Sequence, residues 1–266
     1  MTYFQAIVLA LVQALTEFLP ISSSGHLILV PRLLGWPDQG LAFDIATNTG
    51  TLVAVLAYFR RDLLAILRAA WGGLQRRTPF VGNARLGWSL ALGTVPVVLV
   101  GALAYDWIAQ EAREPRLVAI EMIVFALVLL VADRLGRRER DLDHTGVADT
   151  LVIGCAQALA LLPGTSRSGI TMSAGLFRGL TREAAARYSF LLSVPVGLLA
   201  AGKDLWELAR APAHAGHLGP TLVAVAVSAV AGYFVIGGLL AWVRRWSFVP
   251  FVVYRVVLGL GVLWWF

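Results

Sequence analysis

Charge and cysteine are what this sequence has least of. Only 14% of its 266 residues are charged, while 58% are hydrophobic, and the mean hydropathy is +0.75. A soluble domain of this length carries roughly a quarter charged residues. The shortage excludes a water-coated globular surface and points to an integral membrane protein. The single cysteine, Cys155, excludes any internal disulfide and fits every redox compartment. Lysine is nearly missing too: of 22 basic residues all but Lys203 are arginine, and the net charge is +6. In a membrane protein such a charge mostly sets orientation and contact with anionic head groups, so no nucleic-acid partner is expected. The opening MTYFQAIVLALVQAL has neither a basic n-region nor a small-residue cleavage site, so it is expected to belong to the mature fold.

What the sequence does have is one unusual stretch, present twice. Gln13 to His26 runs QALTEFLPISSSGH, and from Gln157 the chain runs QALALLPGTSRSGIT, an offset of 144. At that offset Gln13, Ala14 and Leu15 match Gln157, Ala158 and Leu159, and Ser22, Ser24 and Gly25 match Ser166, Ser168 and Gly169. In each copy an apolar run stops at a proline (Pro20, Pro163) and becomes a short segment of hydroxyl residues and glycine. Proline and glycine break a helix, and hydroxyls can bond the backbone groups that the break frees. Broken backbone in so apolar a chain is tolerated only where protein covers it or a cavity meets it. Two breaks at corresponding places point to a site inside the membrane.

The apolar runs predict an all-α polytopic membrane protein. Residues 2–19 and Leu27 to Leu34 form a re-entrant hairpin of two half-helices. Residues 41–59, 86–104 and 117–132 cross the membrane, a second hairpin occupies 148–180, and 184–202, 220–243 and 248–266 cross again. An amphipathic surface helix is expected around Leu63 to Leu74, an acidic loop at 105–116, and a polar loop with His214 and His217 at 203–219. Three crossings between the hairpins make the two repeats, about 1–143 and 144–266, enter from opposite faces. The plan is an inverted-topology repeat with six full transmembrane helices and two re-entrant helical hairpins. Loops 60–85, 133–146 and 244–247 are the arginine-rich ones and should be cytoplasmic, with both termini outside. A homodimer is compatible with this plan.

Glu17 follows Gln13 by four residues, so both project from one helical face. His26 follows the serines after one glycine, and Arg167 stands between Ser166 and Ser168. Ionisable groups at membrane depth are costly and are usually functional or paired. The bland alternative is a Glu17–Arg167 ion pair that only locks the hairpins together. Beside a carboxylate and serines, His26 can carry protons or act as a nucleophile; alone, it would be a hydrogen-bonded structural residue. Glycine-and-hydroxyl turns leading into short helices suit an anion, because N–H groups and positive helix ends point at it and arginine adds a planar fork.

These residues carry a resemblance. QALTEFLPISSSGH with PGTSRSGIT resembles the two signature motifs of the bacterial undecaprenyl-diphosphate phosphatase family of the bacitracin-resistance type, and SFLLSVP at 189–195 and Tyr254-Arg255 extend it over nearly the whole chain. The resemblance implies hydrolysis of the C55 isoprenyl diphosphate to the monophosphate. That reaction recycles the lipid carrier of cell-wall precursors, in the bacterial inner membrane, with the active site open to the periplasm. It implies catalytic roles for Glu17, His26, Ser23 and Arg167, with Ser22, Ser24, Ser166, Ser168, Thr171 and Gln13 on the substrate. It also implies support by a divalent cation, Mg²⁺ or Ca²⁺, held at Glu17. Gln13 departs from the many members with a second glutamate there, so a two-carboxylate clamp is unavailable and diphosphate oxygens and water would complete the shell. Either Ser23 or His26 attacks, or Glu17 or His26 activates water; the residues leave this open. The competing class is a transporter or flippase of a lipid phosphate or small anion, because paired broken helices also serve carriers.

Overall fold

The computed structural model describes residues 1–265 apart from positions 38, 40, 76–80, 112–113 and 211–217. Among the described residues it is all-helical: α1 Tyr3–Phe18, α2 Ser23–Leu33, α3 Leu41–Tyr58, α4 Arg60–Gln75, α5 Gly82–Glu111, α6 Pro115–Leu135, α7 Val147–Ala158, α8 Arg167–Phe177, α9 Arg182–Arg210, α10 Leu218–Val243 and α11 Val249–Trp265. A 3-10 turn, Leu159–Leu161, extends α7. Among the described residues four helical segments are long and apolar enough to cross a membrane: Gly82–Ala104, Pro115–Leu135, Arg182–Lys203 and Leu218–Val243. α1, α7 with its 3-10 turn, and α11 are shorter apolar helices. α3 has 18 residues interrupted by Asp44, Thr47, Asn48, Thr49 and Thr51.

Several boundaries differ from those expected. The second half-helix begins at Ser23 instead of Leu27, so the serines, Gly25 and His26 form its first turn. Hydroxyl residues are well suited to that place, where N–H groups lack helical partners. The loop expected at 105–116 is helical as far as Glu111, and that at 203–219 as far as Arg210. Alanine and glutamate in both stretches favour helix beyond the apolar run. His214 and His217 lie outside the described residues. The surface helix expected at Leu63 to Leu74 is present as α4, with Leu64, Leu67, Trp71 and Leu74 exposed on it.

Both breaks share one backbone feature. Ser22 (φ 74) and Ser166 (φ 70) are two of three non-glycine residues at positive φ among those described, and each immediately precedes an 11-residue helix. A serine held there is strained and needs surrounding structure to keep it. Within each pair of helices flanking a break, residues near the far ends come together. The Phe4 and Trp36 rings meet edge-on at 6.2 Å, and Arg178, beyond the end of α8, pairs with Asp149 in the first turn of α7 at 2.7 Å.

Small residues let the helices close up. A Cβ on Gly50 of α3 would lie 2.5 Å from the Val225 carbonyl of α10, and one on Gly154 of α7 would lie 2.6 Å from the Gly93 carbonyl of α5. Such close approach is how helices gain packing where lipid supplies no hydrophobic drive between them. At one end of the bundle, ion pairs join the connections: Asp62 with Arg187, Asp133 with Arg182, Glu183 with Arg244, and Asp149 with both Arg140 and Arg178. Hydrogen bonding to Asp149 raises the pKa of Arg140 above its ordinary value and keeps it charged.

Candidate active site

The tips of the two hairpins meet inside the bundle, and Glu17 is where they join. Its Oε1 accepts from Arg167 Nη2 at 2.8 Å. Its Oε2 accepts from Ser23 Oγ at 2.6 Å and from Gln13 Nε2 at 3.2 Å. The i,i+4 spacing on α1 sets Gln13 beside Glu17, whereas Ser23 and Arg167 arrive as the first residues of α2 and α8. In the internal alignment Ser23 and Arg167 are equivalent positions (167 − 23 is the offset of 144). One carboxylate thus receives the matching residue of each half.

Asn48 of α3 completes the set. Its Oδ1 accepts from Gln13 Nε2 at 2.8 Å, which turns the Gln13 Oε1 away. That oxygen is buried and has no partner, and the same holds for Arg167 Nη1. Two buried polar atoms of opposite character, one acceptor and one cationic donor, therefore flank the carboxylate unclaimed. An orphaned atom of this kind calls for an explanation, and a bound group is the simplest one.

The network separates two cavities. One, of about 410 Å³, is lined by Glu17, Phe18, Asn48, Thr49, Arg167, Ser193 and apolar residues of α3 and α9. The other, of about 300 Å³, is lined by Gln13, Ser23, Ser24, Arg32, Asp44 and Asn48. The first is mainly apolar, and the second is the more polar.

The remaining expected residues are used differently. His26 is buried; its Nδ1 lies 2.7 Å from the Ser22 carbonyl and its Nε2 2.6 Å from the Tyr254 hydroxyl. A carbonyl can only accept, so Nδ1 carries the proton, and in the neutral ring Nε2 accepts from the phenol. No hydrogen bond joins His26 to Glu17 or Ser23. Ser22 and Ser24 share a contact at 3.3 Å, and Ser24 Oγ accepts from Gly164 N at 3.5 Å. Ser166 caps α8 by accepting from Gly169 N, and Ser168 donates to the Leu19 carbonyl at 3.1 Å. Thr171 donates to the Arg167 carbonyl at 2.7 Å and meets Ser189 Oγ at 2.7 Å. Ser166, Ser168 and Thr171 thus serve mainly the broken backbone and its surroundings.

Sequence reasoning assigned no role at the site to Asn48, Tyr254, Arg255 or Glu121. Glu121 stands on α6 beside the second break, where Thr165 Oγ1 donates to it at 3.4 Å. An ionisable residue inside an apolar run was the available signal for Glu121 and Arg255.

The family model for bacitracin resistance protein BacA matches residues 6–261. The chain belongs to that family. It is 54% identical to an undecaprenyl-diphosphatase of Magnetococcus marinus over 98% of both chains. It is 48% identical to one of Thioalkalivibrio sulfidiphilus over the full length of both. Against an undecaprenyl-diphosphatase of Alcanivorax borkumensis the identity is 49%, over 100% of this chain and 99% of the relative.

Proposed function

We propose that this protein of the BacA family is an undecaprenyl-diphosphatase. It hydrolyses undecaprenyl diphosphate to the monophosphate and inorganic phosphate, and so recycles the lipid carrier of cell-wall synthesis. The observation that carries the reading is the Ser23–Glu17–Arg167 chain of hydrogen bonds, with one guanidinium nitrogen buried and unclaimed. A hydroxyl donating to a carboxylate that also accepts from an arginine is a nucleophile with its base in place. The relatives named above support the substrate, and none of them favours the carrier alternative.

In this mechanism the terminal phosphoryl group lies against Arg167 Nη1 and the N-terminal N–H groups of α8, which offset its charge. Ser23 Oγ attacks phosphorus as Glu17 takes its proton, and the bond to the bridging oxygen breaks with the lipid monophosphate as leaving group. Water then cleaves the phosphoserine, and the proton held by Glu17 leaves with the released phosphate. His26 holds the Ser22 carbonyl at the strained residue before the nucleophile. The apolar cavity along α3 and α9 accommodates the start of the prenyl chain, whose remainder passes into lipid.

A divalent cation fits the residues present in one way. Glu17 would hold Mg²⁺ or Ca²⁺ mainly with diphosphate oxygens and water, and the Gln13 side chain would have to turn over to offer its buried, unclaimed Oε1 to the same ion. When bound, the ion supplies charge neutralisation on the diphosphate.

The reading also includes an inverted repeat, about 1–143 and 144–266, in the bacterial inner membrane, with α3, α5, α6, α9, α10 and α11 as full crossings. The ion-paired, arginine-rich end would be cytoplasmic and the first hairpin open to the periplasm. The decisive substitution is Arg167→Lys, which keeps the charge and loses the fork. Phosphate release at saturating prenyl diphosphate should fall by about 10²–10³, with the protein still folded. A folded variant with near-normal kcat would leave Arg167 as a hairpin lock only.

A further inference from the structure

We propose that Arg255 is the positioning residue that assembles this site: its one guanidinium ties the carbonyl ends of both broken hairpins together and so sets where Ser23 and Arg167 meet Glu17. Arg255 lies in α11 and is fully buried. Its Nε donates to the Met122 carbonyl at 3.1 Å, its Nη1 to that of Pro20 at 3.4 Å, and its Nη2 to those of Gly164 and Thr165 at 2.8 and 3.0 Å. Pro20 belongs to the first break, and Gly164 and Thr165 to the second. All four partners are carbonyls, so the side chain is not half of an ion pair.

The chemistry explains why an arginine is here. A helix that stops inside the membrane leaves carbonyls without water to bond them. One planar group with donors on several edges can serve carbonyls from three separate segments, whereas an ammonium is a single point. Pro20 stands three residues from both Glu17 and Ser23, and Thr165 stands two before Arg167. Any shift of these carbonyls therefore shifts the hydrogen bonds on Glu17. Arg255 lines neither cavity beside Glu17, so it acts through the turns and not on the substrate. The preceding residue works the same way: Tyr254 bonds His26, which holds the Ser22 carbonyl.

The inference rests on the diphosphatase reading, and the test separates the two. Full-length protein in detergent is assayed for phosphate release from a prenyl diphosphate as wild type, Arg255→Lys, Arg167→Lys and the double variant. Arg255→Lys is expected to lower kcat by about 10²-fold, the cost of a small misplacement, with little change in KM. The double variant should then be no slower than Arg167→Lys alone, because both losses remove one placement. Near-normal kcat in Arg255→Lys, or losses that multiply in the double variant, would overturn the proposal.

If Arg255→Lys does not fold, Gly169→Ala replaces it. The new Cβ would stand 3.1 Å from Arg255 Nη1 and 3.2 Å from Ser166 Oγ, so it crowds the guanidinium and the α8 cap by a few tenths of an ångström with every donor retained. The same non-additive fall is expected, and full kcat would refute the clamp. A second arm needs no turnover: cysteines at Leu19 and Ser168, in a Cys155→Ser background, are joined by a short bis-maleimide. The Arg255 or Gly169 variant should lower the cross-link yield, and an unchanged yield counts against the proposal. Wild type that releases no phosphate would sink the diphosphatase reading and leave the cross-link to decide this one.

Discussion

Glu17 accepts three hydrogen bonds, from Ser23, Arg167 and Gln13, and their lengths rank what each contributes. The Ser23 and Arg167 bonds at 2.6 and 2.8 Å are charge-assisted and short, and such bonds are about twice as strong as neutral ones. The bond from Gln13 is the longest, and Gln13 has a second acceptor in Asn48. Glu17→Gln removes the base and leaves the Arg167 guanidinium without an anion, so turnover should fall by about 10²–10⁴. Gln13→Ala should cost much less. Phosphate release by the two folded variants tests this. A Glu17→Gln protein that keeps most of its activity would reduce the carboxylate to a structural lock. The Gln13–Glu17 face was legible in the sequence, because spacing along one helix is enough to define it. Asn48 was visible only as a polar interruption of an apolar run, since its contact with Gln13 spans 35 positions and no local rule links them.

At the scale of the element, the breaks were plain and their edges were not. Pro20 and Pro163 mark where α1 and α7 must stop, but the helices that follow begin at Ser23 and Arg167, inside the segments expected to be irregular. Hydroxyl residues satisfy free N–H groups equally in a loop or in a first helical turn, so composition cannot separate the two. The long extensions of α5 and α9 were missed because apolarity measures how deep a helix sits, whereas helix propensity continues past the membrane boundary. Helix crossings supply a further test. Gly154→Val on α7 would drive side-chain atoms into the Gly93 carbonyl, which should cost at least the roughly 1–3 kcal/mol of ordinary overpacking. Gly72→Ala on α4, where a Cβ meets nothing within 4 Å, should leave stability unchanged or slightly raised. Thermal unfolding in detergent compares the two. Equal midpoints would mean that the α5–α7 crossing is looser than the structure has it.

Over the whole molecule, one end is cross-linked by ion pairs between connections that are far apart in the chain. Asp133 is fully buried there and also accepts from the Phe248 backbone N–H at 3.1 Å, so α6, α9 and the residue that leads into α11 are joined at a single carboxylate. That end carries the arginine-rich loops. If it is cytoplasmic, a reporter fused after Phe266 should be active only in the periplasm. A reporter active only in the cytoplasm would overturn the orientation and the inverted repeat together.

The sequence by itself determined the class, the two breaks, their internal correspondence and the family, because each follows from composition, local order or motif. Only the tertiary structure decided how the pieces act. It put Ser23 rather than His26 against Glu17, turned most of the motif hydroxyls to serve broken backbone, left Arg167 Nη1 and Gln13 Oε1 unclaimed, and sent Arg255 to four carbonyls. The physical reason is the same in each case. A helix break creates backbone groups that must find partners, and in a membrane interior those partners come from wherever the folded chain can bring them. A pattern along one segment records that the need exists, but not which distant side chain meets it.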